Sequence, residues 1–158
     1  MASLFDTTRN FSLYTIPAAW LISIAPHFYS AALYSSASSK KFNAISPREM
    51  PAQIKDDQSV DQATKARFTR AESASANGFE NIGLFAAAVA AGNAAGLDHG
   101  YLNTLSGLYL ASRVAYTLIY INNTSEGMAR ARTGAFLSGV GIIFTLFISA
   151  GNQLRRTL

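Results

Sequence analysis

TGAFLSGVGIIFTLFISAGNQ, residues 133–153, contains no Lys, Arg, Asp or Glu. A helix needs about 20 consecutive apolar residues to cross the hydrocarbon core of a bilayer, so this stretch reads as a membrane span. Three further stretches have comparable length: residues 11–35 without a charge, 73–97 with only Glu80, and 101–121 with only Arg113. Together they predict an all-α protein, a four-helix transmembrane bundle forming one membrane domain over residues 1–158. Composition points the same way, because 49% apolar and 14% charged residues are too greasy and too weakly charged for an ordinary soluble domain.

Several function classes drop out early. There is no cysteine, and the two histidines, His27 and His99, are far apart in sequence, which argues against disulfides, thiol chemistry and zinc or iron sites. The net charge is +4, but the basic residues are neither interleaved with aromatics nor aligned in one amphipathic stripe, so no nucleic-acid partner is expected.

Between the first two spans lies a polar stretch, residues 36–72, expected to be a loop with a short helical piece leading into the second span. The link formed by Asp98, His99 and Gly100 is so short that the second and third spans must be antiparallel neighbours. Pro17 and Pro26 mark positions where the first helix can kink. Lys40, Lys41, Arg48, Lys55, Lys65, Arg67 and Arg70 share one side of the membrane with Arg130 and Arg132, against Arg9, Arg155 and Arg156 on the other. The positive-inside bias therefore places the long loop in the cytosol and both termini in the lumen. The N-terminal apolar stretch lacks a basic leader and exceeds the length of a signal core, so it is expected to stay as a span.

Glu80 and Arg113 would each cost about 2.5 to 3.5 kcal/mol at the centre of a membrane helix. Both lie about 12 Å in from the cytosolic ends of neighbouring helices, so they are expected to approach within ion-pair or water-bridged distance. Tyr109, Arg113, Tyr116 and Tyr120 follow i, i+4, i+7 and i+11 spacing, which stacks three phenols and a guanidinium on one face. Asn77 precedes Glu80 by about one turn. Such a set serves either as a packing device or as a polar pocket open to the cytosolic leaflet.

Asn77-Gly78-Phe79-Glu80 followed by Phe85, and Ser112-Arg113-Val114-Ala115-Tyr116 followed by Tyr120, resemble the family of membrane-associated proteins in eicosanoid and glutathione metabolism, MAPEG. The resemblance runs from about Arg67 to Gln153. It implies a homotrimer in the endoplasmic reticulum, with glutathione as cosubstrate in a site between subunits. It also implies site roles for Asn77, Glu80, Arg113, Tyr116, Tyr120 and Arg132. Arg132 is the candidate that stabilises the thiolate, with Arg130 the next residue in register. The family commonly has an Arg four residues before the Asn, where this sequence has Ser73. Arg67 and Arg70 lie one to two turns further out and have the reach to pair with a glutathione carboxylate. Gly83 stands where the family has a proline. The implied activity is a glutathione-dependent transferase or peroxidase acting on lipophilic electrophiles; the alternatives are a non-catalytic lipid-binding member and a structural subunit of a membrane complex.

Overall fold

The computed structural model describes residues 8–40 and 42–157, and the side chains of all of these except Thr157. Lys41 and the extreme termini, on which part of the orientation argument rests, lie outside the described residues. Five α-helices follow in order: α1 (Thr15–Ala37), α2 (Met50–Asp56), α3 (Gln62–Ala94), α4 (His99–Asn122) and α5 (Glu126–Thr157). Single 3-10 turns precede α1 at Ser12–Tyr14 and α2 at Pro47–Glu49. No strand occurs among the described residues. α1 runs unbroken through Pro26, while Pro17 falls in its first turn, where a missing N–H costs nothing.

The α3–α4 turn is a compact C-cap and N-cap in succession. Gly96 adopts φ +70°, and the Gly96 N–H donates to the Asn93 carbonyl while the Leu97 N–H donates to that of Gly92. This is a Schellman closure, which needs a residue tolerant of the left-handed region. Asp98 then caps α4 by accepting from the Tyr101 N–H at 2.9 Å. At the other end of α3, Asp61 accepts from the Thr64 N–H, a cap worth about 1 kcal/mol.

That cap starts α3 at Gln62, well inside the stretch expected to be a loop. Phe68 and Ala71 are fully buried there, so the helix continues beyond its apolar segment because one face packs on α1. α1 lies mainly against α3, and α4 against α5. Ala19, Phe85, Val89, Leu102, Tyr109, Ile143 and Leu146 form the main core, centred on stacked rings of Phe85 and Tyr109 at 3.8 Å. A smaller core joins Tyr34, Met50, Ile54, Val60 and Phe68, fastening α2 to the ends of α1 and α3.

Asp57 locks this connector. Its carboxylate accepts from the Ser59 hydroxyl and backbone N–H, the Ser38 hydroxyl and the Tyr34 phenol. The Ser59 hydroxyl, followed by that of Ser38, holds its pKa well below the usual carboxylate range. Near the other end, Asn10, Ser12 and Asn93 hydrogen-bond one another, and Asn103 accepts from the Phe11 N–H. Apolar spans therefore carry their amides at no unsatisfied cost here.

Two segments are long and apolar enough to cross a membrane, Ser12–Ala37 and Glu126–Arg156. α3 and α4 are more polar, with Asn77, Glu80, Asn81 and Asn93 on one and Asn103, Ser106 and Arg113 on the other.

Candidate functional site

α3, α4 and the start of α5 border an open cavity of about 240 Å³ lined by Asn77, Tyr116, Tyr120, Arg132, Thr133 and Phe136. Four of the residues singled out in the sequence thus meet at one place. Each arrives by helical register: Asn77 from the α3 face turned to α4, Tyr116 and Tyr120 one turn apart on α4, and Arg132 with Phe136 one turn apart on α5. The Arg132 guanidinium carbon sits 4.5 Å from the Tyr120 ring centroid. A guanidinium stacked in this way can keep its edge N–H donors for a ligand. The Oδ1 of Asn77 is buried and has no hydrogen-bond partner among the described residues, leaving a polar atom that a ligand donor could satisfy.

Arg113 stands behind the cavity instead of on its wall. It is only 4% exposed, and its guanidinium carbon lies 4.9 Å from the Tyr116 ring and 5.5 Å from those of Tyr109 and Phe136. Its Nη2 donates weakly to the carbonyls of Ala135 and Phe136 at 3.4 Å. Gly139 makes room for it, since a Cβ there would stand 2.8 Å from that same nitrogen. Arg113 therefore braces Tyr116 from behind through three aromatic faces.

The expected Glu80–Arg113 ion pair does not form directly. Glu80 is exposed on α3, whereas Arg113 turns away toward α5, where aromatic faces and helix carbonyls receive it. The short contact to a carboxylate that joins two helices is a different one: His27 Nδ1 lies 3.0 Å from Glu72 Oε1. It joins the middle of α1 to α3, and Ser30 adds its hydroxyl to the same carboxylate. An ionisable residue in each of two antiparallel helices was the available signal, but His27 could be matched to Glu72 only once the α1–α3 register was known.

Arg67 and Arg70 flank a second cavity, of about 250 Å³, that also includes Asn122 and Thr124. Arg67 Nη2 donates to Asn122 Oδ1 at 2.5 Å, and Arg70 Nε to the Ile121 carbonyl at 3.0 Å. Arg130 is exposed on the first turns of α5 and lines neither cavity. Ser73 faces a third, larger groove on the α1 side, and its hydroxyl bonds back to the Thr69 carbonyl.

Fold and site define an all-helical chain with span-length apolar helices and a polar cavity between three of its helices. The model of the MAPEG family matches residues 14–152, essentially the whole chain, and the chain belongs to that family of membrane-integral proteins. Its members include glutathione transferases and peroxidases among other proteins. No curated protein and no solved structure matches.

Proposed function

We propose that this protein is a glutathione-dependent transferase or peroxidase that acts on lipophilic electrophiles dissolved in the membrane. The observation that carries the reading is the convergence of Asn77, Tyr116, Tyr120 and Arg132 on one cavity. Glutathione brings two carboxylates, an amine and a thiol, and therefore asks for charge-assisted partners. A guanidinium beside its sulfur lowers the thiol pKa and favours the nucleophilic thiolate.

In this reading Arg132 holds the thiolate, Tyr120 orients Arg132, and Asn77 accepts from a glutathione N–H. Sulfur then attacks an electrophilic carbon as the leaving group departs with its electron pair, or attacks a peroxide oxygen as the O–O bond breaks. In the peroxide case the other oxygen leaves as the alcohol after protonation, and a second glutathione converts the sulfenic acid to disulfide and water. Arg67 and Arg70 bind the glutathione carboxylates, exchanging Asn122 and the Ile121 carbonyl for a stronger ionic partner. α1, α3, α4 and α5 cross the membrane as a four-helix bundle, assembled as a trimer in the endoplasmic reticulum with the long connector in the cytosol. Exposed Glu80 then faces a neighbouring subunit instead of lipid, since a charge against lipid would be costly.

The internal bonds of Arg67 and Arg70, together with Ser73 at the family's Arg position, favour a second reading as a non-catalytic lipid-binding member. Steady-state conjugation of a generic electrophile separates the two. Arg132→Leu should lower kcat at saturating glutathione, because a thiolate contact acts mainly on the chemical step. Arg67→Ala and Arg70→Ala should chiefly raise the KM for glutathione. A parent protein without thiol-dependent turnover would contradict the enzyme reading.

A further inference from the structure

A groove of about 610 Å³ runs between α1, α3 and the connector that carries α2. That is within the size range of small-molecule sites, about 300 to 1,000 Å³. It shares no lining residue with the cavity around Arg132, although Ser73, at the family's Arg position, opens onto the groove.

The groove is graded from polar to apolar. Arg48 belongs to the connector, and His27 and Glu72 come next; Ile24, Ala76 and Phe79 lie further toward the apolar halves of α1 and α3. Most of its polar groups are already satisfied internally. Glu72 receives His27 Nδ1 at 3.0 Å and the Ser30 hydroxyl. The hydroxyls of Thr69, Ser73 and Ser75 donate to the carbonyls of Lys65, Thr69 and Ser23. Two groups are left for a ligand. Arg48 is exposed and makes no ion pair or hydrogen bond to another described residue. With Nδ1 committed to Glu72, His27 presents only Nε2, which in the uncharged ring accepts a hydrogen bond and does not donate one.

We propose that this groove binds the head of an anionic phospholipid, with the phosphate on Arg48, a headgroup hydroxyl donating to His27 Nε2, and the start of an acyl chain along Ile24, Ala76 and Phe79. Arg48 is the lining charge without a partner among the described residues, while the Glu72 carboxylate is engaged by His27 and Ser30, so the ligand supplies negative charge and acceptor oxygens to Arg48. A planar guanidinium matches phosphate with two parallel hydrogen bonds. The apolar extension selects an amphiphile over a free anion, and basic pockets between membrane helices on the cytosolic flank recognise acidic headgroups by this chemistry.

The test titrates the purified full chain, in neutral detergent, with short-chain phosphatidylglycerol, short-chain phosphatidylcholine and inorganic phosphate, read by native mass spectrometry and by thermal shift. Phosphatidylglycerol should bind saturably and raise the unfolding temperature; phosphatidylcholine should bind more weakly, and inorganic phosphate should not bind measurably. Arg48→Leu should weaken phosphatidylglycerol about tenfold. Lys40→Gln, which removes an exposed connector cation outside the groove, should not. Because Arg48 is exposed, its loss leaves the fold intact, which the unfolding temperature of the unliganded variant checks directly. Equal binding of the two lipids, binding of phosphate alone, or identical behaviour of Arg48→Leu and Lys40→Gln would overturn the proposal.

Discussion

A Cβ added at Gly78 would stand 2.6 Å from Ser23 Oγ and 2.8 Å from Ser23 Cβ, so α1 and α3 meet there with no room for a methyl group. Gly78→Ala should destabilise the protein by about 1 to 3 kcal/mol through overpacking. Adding Ser23→Gly should restore much of the loss by freeing the space opposite. Thermal unfolding in detergent checks both; an unchanged single variant, or a double variant no better than the single, would show that the contact is not tight. Gly78 was visible in sequence only as part of the motif around Asn77, because a close approach depends on which residue of α1 lies opposite. The same limit explains Arg113. Its spacing with Tyr109 and Tyr116 was legible as one helix face, and the rings do surround it. The choice between Glu80 and the aromatic faces as its partner depended on helix rotation, which equal depth along two helices cannot determine.

Among the elements, the expected span at 133–153 lies inside a longer helix that begins at Glu126, and all but the last three residues of 73–97 belong to one that begins at Gln62 and ends at Ala94. The apolar criterion finds the part of a helix that suits lipid. It is blind to the part stabilised by amphipathic packing, such as the turns of α3 where Phe68 and Ala71 are buried among polar neighbours. The helical piece expected to lead into the second span corresponds to the start of α3; the separate helix α2 was not foreseen, nor its fastening to Asp57, since Tyr34, Ser38 and Ser59 come from separate segments. That fastening should depend on pH. Asp57 has a folded pKa below its unfolded value of about 3.9, so its stabilising contribution is complete above about pH 4 and is lost as pH falls toward the folded pKa. Hydrogen exchange across residues 42–61 should accelerate in acid relative to the rest of the chain. Asp57→Asn should raise exchange there at neutral pH and flatten this acid dependence; equal protection of parent and variant at neutral pH would remove Asp57 as the lock.

For the whole molecule, the orientation rests on the basic residues gathered around the connector and the start of α5. Asn122-Asn123-Thr124 and Asn123-Thr124-Ser125 are acceptor patterns for glycosylation at the end of α4, level with Arg67 through its bond to Asn122. With that end in the cytosol they should remain unmodified in cells, and a glycan on either asparagine, seen by mass spectrometry, would reverse the orientation. Membership of the family was legible in short motifs, and helical spacing placed Tyr116 and Tyr120 on one face of α4, whereas Asn77 and Arg132, on α3 and α5, entered the candidate set through the resemblance. The central claim is that the cavity around Arg132 binds glutathione, and calorimetric titration of glutathione into the purified chain in detergent tests it most directly. Saturable heat is expected in the parent, with weaker binding in Arg67→Ala and Arg70→Ala at matched ionic strength. A silent parent titration at millimolar glutathione would contradict the claim.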